Sequence, residues 1–182
     1  DRWRLHVCWG NWEGPHEHDV PLGSILSILY KTTAGALSIE FANPRHAHEY
    51  EAIKKAGWPK DLILIPGVIE STSNFVEHPE VVARRIAEAV AVVGERERVI
   101  ASTDCGFGTF AGREWVAGSV VWKKLKSLRE GADIAALDIC RDLPYPRYSL
   151  AMRSDLEETA RQVRDYGRQA LELVADVRDS AG

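Results

Sequence analysis

Leu62-Ile63-Leu64-Ile65-Pro66-Gly67-Val68-Ile69 is apolar almost throughout, the pattern of a parallel strand buried on both faces. Such a strand needs helices to cover it, and the chain supplies them in alternation. Arg4–Cys8, Ala36–Phe41, Leu62–Ile69 and Arg98–Ser102 read as strands. Val20–Thr33, Arg45–Ala56, Pro79–Val93 and Glu114–Ala135 read as helices, from apolar residues at helical spacing. Pro21 suits a first helical turn, and Gly35, Gly57-Trp58-Pro59 and Gly94 mark the stops. The result is an α/β chain of four successive strand-helix units, each the size of one unit of a (β/α)8 TIM-type barrel. A doubly wound open sheet shares that alternation. In both architectures active groups gather at the carboxyl ends of the strands.

Composition narrows the function classes. The 182 residues are 45% hydrophobic, enough for one domain with a real core, and the net charge is −4. The densest basic patch, Lys123-Lys124 with Lys126, is expected on a solvated helix face, so no nucleic-acid partner is expected. No apolar stretch reaches membrane-spanning length and the start carries no signal-peptide pattern, so no membrane partner is expected either. Three widely spaced cysteines argue against a disulfide framework and for a reducing, cytoplasmic setting.

The strand-end rule picks out the residues a metal would want. His6 and Cys8 are two apart on the first strand and face the same side, and imidazole and thiolate are ligand types that zinc prefers. A satisfied core histidine and a small buried cysteine are the plain alternative. Glu40 ends the second strand and Cys105 lies just past the fourth. The third is followed only by the polar stretch Glu70-Ser71-Thr72-Ser73-Asn74.

Four stretches carry a more specific likeness: His6–Leu22 (HVCWGNWEGPHEHDVPL), Leu37–Glu51 (LSIEFANPRHAHEYE), Leu64–Glu80 (LIPGVIESTSNFVEHPE) and Val99–Glu114 (VIASTDCGFGTFAGRE). As an ordered set they resemble the cobalamin-independent methionine synthase superfamily, and most of all its short branch, which includes the epoxyalkane:coenzyme M transferases. The resemblance implies the second half of a (β/α)8 barrel over residues 1–136, with a C-terminal helical extension over 137–182. It implies zinc held by His6, Cys8, Glu40 and Cys105, with Asp104 and His46 as substitutes for Glu40 because the Gly10–Asp19 loop is inserted. It also implies a zinc-activated thiolate, from homocysteine or coenzyme M, attacking a methyl-folate or an epoxide. A chain that binds zinc but is catalytically incomplete is the reading from another class. An upstream half-barrel or a second copy is the implied partner.

Further candidates lie in the rim loops, where substrates are read. Asn11, His16, His18, Arg45 and Asp104 are candidate substrate contacts, Arg45 through its planar fork on a sulfonate or carboxylate; pairing of Arg45 with a neighbouring Glu, and His16 and His18 as a metal pair or as ordinary loop residues, are the alternatives. His78 is the candidate proton donor. Trp9 and Trp12 are candidate pocket walls, and core packing accounts for them equally well. Gly106 and Gly108 suit a tight turn around Cys105, not a phosphate cradle. In the tail, Ser154-Asp155-Leu156-Glu157 resembles a capping box. Leu156, Ala160, Val163, Gly167, Ala170, Val174 and Val177 then form a seam for one partner helix, and Cys140 is expected to be structural.

Overall fold

The computed structural model describes residues 3–135 and 153–165. Its elements alternate as expected: β1 (Arg4–Val7), α1 (Leu22–Leu29), β2 (Ala36–Ile39), α2 (Tyr50–Ala56), β3 (Ile63–Ile69), α3 (Pro79–Val93), β4 (Ser102–Thr103) and α4 (Gly118–Ala135). The four strands lie in sequence order and every pair is parallel. That order, with a helix after each strand, is part of a TIM-type barrel. Residues 1–132 and 133–182 form two compact units. Within the second, α5 (Arg153–Asp165) is helical where the capping-box pattern begins, and Arg161 bonds Glu158 and Asp165 along it. Cys140 and the seam beyond residue 165 lie outside the described residues. Among the described residues no helix is long and apolar enough to cross a membrane.

β3 is buried at all but its first residue, as its apolar run requires. On one face Leu37, Ile39, Phe41 and Leu64 meet Leu22 and Leu26 of α1 and Tyr50 and Ile53 of α2, and the Phe41 and Tyr50 rings stack at 4.1 Å. Val68, Ile69 and Val82 form a second core.

The fourth strand is shorter and later than its apolar pattern suggests. Arg96–Arg98 is a 3-10 turn, and the pairing with β3 consists of Gly67 with Ser102 and Ile69 with Thr103, beyond an isolated bridge from Leu64 to Val99. Pro66 has no N–H to give to a ladder, and the register slips between Gly67 and Ile69. The second helix also begins late, at Tyr50, after a 3-10 turn over Ala47–Glu49.

Lys124 corrects the expectation of a solvated basic face. It is fully buried, with Nζ 3.0 Å from both the Glu77 carboxylate and the Glu70 carbonyl oxygen and 4.8 Å from the centre of the Phe75 ring. Ser127, one turn on, donates to the Glu77 carbonyl oxygen. A basic residue flanked by lysines looks solvated in sequence. Its partners come from the loop between β3 and α3, some fifty positions earlier. Lys124→Met is expected to leave the buried Glu77 carboxylate with the Arg85 guanidinium at 4.0 Å as its remaining ion pair among the described residues and to cost about 3 kcal/mol, read as a drop in the urea unfolding midpoint. Lys126→Met, exposed two residues on, is expected to leave that midpoint nearly unchanged.

Candidate metal and thiol site

The carboxyl ends of β1 and β2 and the turn after β4 meet at one rim. Parallel register sets His6 opposite Ser38, and the Ser38 hydroxyl lies 3.2 Å from His6 Nδ1. That contact leaves Nε2 to face the other way, where it stands 3.4 Å from Cys105 Sγ. Donor atoms of His6, Cys8 and Cys105 all lie within 4.8 Å of one another. In a tetrahedral zinc site, bonds of about 2.0–2.3 Å place neighbouring donors roughly 3.5–3.8 Å apart. Separations of up to 4.8 Å are within about 1 Å of that spacing, so the three residues could close on such an ion, and both thiols are free of disulfide.

Glu40 is buried near this cluster but its carboxylate is not among the donor atoms that lie within 4.8 Å of one another, and it accepts the Trp9 N–H at 2.9 Å. Burial pushes its carboxyl above the ordinary range, against the Trp9 N–H and the positive charge of Arg45. Burial also pushes the Cys105 thiol well up, and the Glu40 charge adds to the shift. A buried thiol between acidic neighbours stays protonated unless a cation compensates, which is the chemical condition a metal satisfies.

The substitutes for Glu40 are otherwise engaged. Asp104 turns both oxygens onto backbone N–H groups: Oδ1 accepts from Phe41 and Ala42 at 3.0 and 2.9 Å, Oδ2 from Asn43 at 2.7 Å. Burial nonetheless lifts its carboxyl to about 7, with those donors pulling back and Glu40 pushing further. The His46 ring stacks on Trp9 at 3.8 Å. Burial and the neighbouring Arg45 hold that imidazole below its usual pKa.

The inserted loop builds a second polar cluster. His16 Nε2 lies 3.1 Å from the Trp12 carbonyl oxygen, and its Nδ1 is 2.8 Å from Arg45 Nη1. The same Nδ1 lies 3.0 Å from Asp19 Oδ1, so it faces a guanidinium and a carboxylate at once. Arg45 also pairs with Asp19. Burial works to raise the Asp19 carboxyl, but His16 and Arg45 together hold it below the ordinary range. Trp12, His16, Asn43, Arg45 and Thr72 line an open cavity of about 420 Å³ together with Glu13 and Gly14.

Other candidates have different surroundings. Asn11 is buried and committed to the protein: its amide donates to the Gly106 carbonyl oxygen (2.7 Å) and the Thr109 hydroxyl (2.8 Å) and accepts from Ser71 (2.8 Å). It ties the loops after β1, β3 and β4 together. His78 caps α3, where its Nδ1 accepts from the Glu80 N–H at 3.3 Å. His18 is exposed. Trp9 is half-buried and Trp12 exposed. The stretch after β3 is not idle: Glu70 is buried and accepts from the backbone and hydroxyls of Thr72 and Ser73. Burial opposes its ionisation, but those donors prevail and hold its carboxyl low. No sequence pattern marks Ser38 as a partner of His6. Counting strand register from His6 finds it.

Residues 14–132 match the family model described as cobalamin-independent synthase, catalytic domain. Glu40 and Cys105 fall within that match; His6 and Cys8 precede it. A solved B12-independent methionine synthase from Shewanella sp. W3-18-1, in complex with selenomethionine, superposes with a TM-score of 0.53 at 20% identity, over 73% of this chain and 38% of that one. Shorter likenesses run to another class. A stretch of 55 residues is 38% identical to (-)-trans-carveol dehydrogenase of Rhodococcus erythropolis, over 30% of this chain. Another comparison gives 48% identity over 54 residues, 29% of this chain, to an uncharacterized NAD-dependent oxidoreductase of Mycobacterium tuberculosis. The chain spans about a fifth of the length of these curated relatives (20%).

The electrostatics of the thiols give a direct readout. In metal-free protein at pH 8, iodoacetamide is expected to modify Cys8, which is exposed, well before Cys105, by peptide mass mapping. Equal rates at the two positions would contradict the burial of Cys105.

Proposed function

Because the chain belongs to the family of cobalamin-independent synthase catalytic domains, we propose that its rim cluster is the zinc centre of a thiol alkyltransferase. The observation that carries this reading is the convergence of His6 and Cys8, on β1 and at its exit, with Cys105 in the turn after β4. These three, with Glu40, would hold the ion. When bound, zinc lowers the pKa of a substrate thiol and keeps it as a thiolate at neutral pH.

The chain's own residues then have distinct tasks. Ser38 holds the His6 ring so that Nε2 faces the cluster. Asn11 fixes the turn carrying Cys105. The cavity at Arg45 and His16 receives the acidic end of the thiol substrate, a carboxylate or a sulfonate. In the reaction a sulfur–carbon bond forms while the alkyl carbon's bond to its leaving atom breaks. With a methyl-folate that atom is nitrogen; with an epoxide it is ring oxygen. The proton given up by the thiol balances the charge on the leaving atom. Homocysteine with methyl-folate is the reading that the family supports first, and coenzyme M with an epoxide is the alternative.

A second reading has its own support. The described sheet ends at β1 and β4, each with one neighbour, and the Shewanella enzyme is covered over only 38% of its length. A chain that binds zinc yet needs further strands, from an upstream half-barrel or a second copy, fits those facts. Alkylation of homocysteine and coenzyme M, assayed with and without a co-expressed upstream half, separates the two readings. Turnover only in the presence of that half supports the second, and turnover by the chain alone supports the first.

Metal analysis of the purified chain is expected to give about one zinc per chain, lost in Cys8→Ser and in Cys105→Ser. Stoichiometric zinc in both variants would reject the ligand set. Arg45→Gln is expected to weaken binding of an acidic thiol about tenfold or more while leaving 2-mercaptoethanol unaffected, by the shift in the absorption spectrum of the Co(II)-substituted protein. Equal losses for both thiols would move the acid-binding role elsewhere.

A further inference from the structure

Asp104 stands next to Cys105 in sequence, yet its side chain faces the end of another strand. It is 1% exposed. Its carboxylate takes three consecutive backbone N–H groups, those of Phe41, Ala42 and Asn43. The first of these belongs to the peptide unit that joins Glu40 to Phe41, so the bond fixes the orientation of the peptide leaving Glu40. The Asp104 N–H donates to the Ile69 carbonyl oxygen at 2.8 Å, which pins the same residue to β3. Beneath it is Gly67. A Cβ there would lie 2.0 Å from Asp104 Oδ1 and 2.6 Å from its Cα, so only glycine leaves room for the carboxylate.

We propose that Asp104 is a positioning residue, whose carboxylate sets the separation of Glu40 and Cys105 and thereby the metal affinity of the rim. This rests on the zinc reading above and adds to it a determinant outside the ligand set. Glu40 and Cys105 are 65 positions apart on turns with few other ties. Asp104 joins the two turns through one side chain, one bond away from each donor residue. Neither oxygen is directed at the His6, Cys8 and Cys105 cluster, and the described group of candidate ligands does not include it. Its charge also bears on Cys105, so Gly67→Ala, which keeps the carboxylate, is the variant that separates the backbone it holds from the charge it carries.

The test compares four proteins: wild type, Asp104→Asn, Gly67→Ala and Val82→Ala. Asp104→Asn keeps the shape but replaces one acceptor oxygen with a donor that opposes an N–H. Gly67→Ala keeps the carboxylate and crowds it from below. Val82→Ala opens the second core and serves as the control for general destabilisation. Each is measured for zinc affinity by chelator competition, for the Co(II) absorption spectrum and for urea unfolding. Asp104→Asn and Gly67→Ala are expected to lose about 10–100-fold in zinc affinity, as supporting-residue changes do, with shifted Co(II) bands. Val82→Ala is expected to lose stability but keep affinity and spectrum. If Asp104→Asn does not fold, Gly67→Ala decides. Affinity within twofold of wild type, or an equal loss in Val82→Ala, would overturn the positioning role while leaving the zinc centre standing. No metal binding by wild type would overturn both.

Discussion

Three backbone N–H groups at the exit of β2 converge on a single buried carboxylate, and the shape of the rim depends on that contact. Parallel strands bring their carboxyl ends to one side, but the sheet alone does not fix how the turns beyond them sit. β1 and β2 are in register for only four residues each, and β4 pairs at two. Precision at the mouth has to come from polar clamps. Asp104 joins the exit of β2 to the turn after β4, Asn11 joins the loop after β1 to that same turn, and Arg85 reaches from α3 to the Val68 and Ala42 carbonyl oxygens at 2.9 and 3.2 Å. Each clamp is at least half-buried, where a hydrogen bond is stronger and an unmade one more costly. The donors of the candidate metal site are thus held by residues that are not themselves donors.

What could be read from sequence follows the same division. Backbone periodicity is local, so the alternation of strands and helices was legible, as were His6 and Cys8 on one face and Cys105 at a strand end. The α/β class needs no more than that, whereas the strand order that separates a barrel from a doubly wound sheet is seen only in the structure. Long-range polar partners were not legible. Lys124 is flanked by lysines and reads as solvated, but its ammonium meets Glu77 from 47 positions away. Asp104 reads as a substitute ligand because it adjoins Cys105; only the path of β2 shows what its oxygens accept. Asn11 reads as a substrate contact because it sits in a rim loop, and its amide is taken up by Gly106, Thr109 and Ser71. In each case the residue type was noticed and the partner, 47 to 98 positions distant, was not.

The exposed faces bear on how much of a catalyst these residues form. Trp3 and Leu5, in and beside β1, are 74% and 37% exposed, and Ile100 beside β4 is 41% exposed. Apolar residues at both ends of a four-stranded parallel sheet are unusual for a finished surface, since parallel sheets are normally covered on both faces and protected at their edges. In a closed barrel those two ends would be interior junctions. The candidate donors lie on β1 and just past β4, the same two strands that end the sheet. Any strands added at those ends would therefore pack directly against the candidate donors.

That placement links assembly to chemistry. A thiolate nucleophile gains reactivity from a dry surrounding, and His6 and Cys8 are exposed on a bare β1. Cys105, by contrast, is already buried and its thiol pushed up. The centre is thus half sheltered, closed on the side of β2 and the Asp104 clamp and open on the side of β1. Covering β1 would desolvate Cys8 as Cys105 is now desolvated, raising the electrostatic demand for a cation between the two sulfurs. On the zinc reading, covering β1 and binding a cation would act on the same two thiols, the one favouring their neutral form and the other their thiolates.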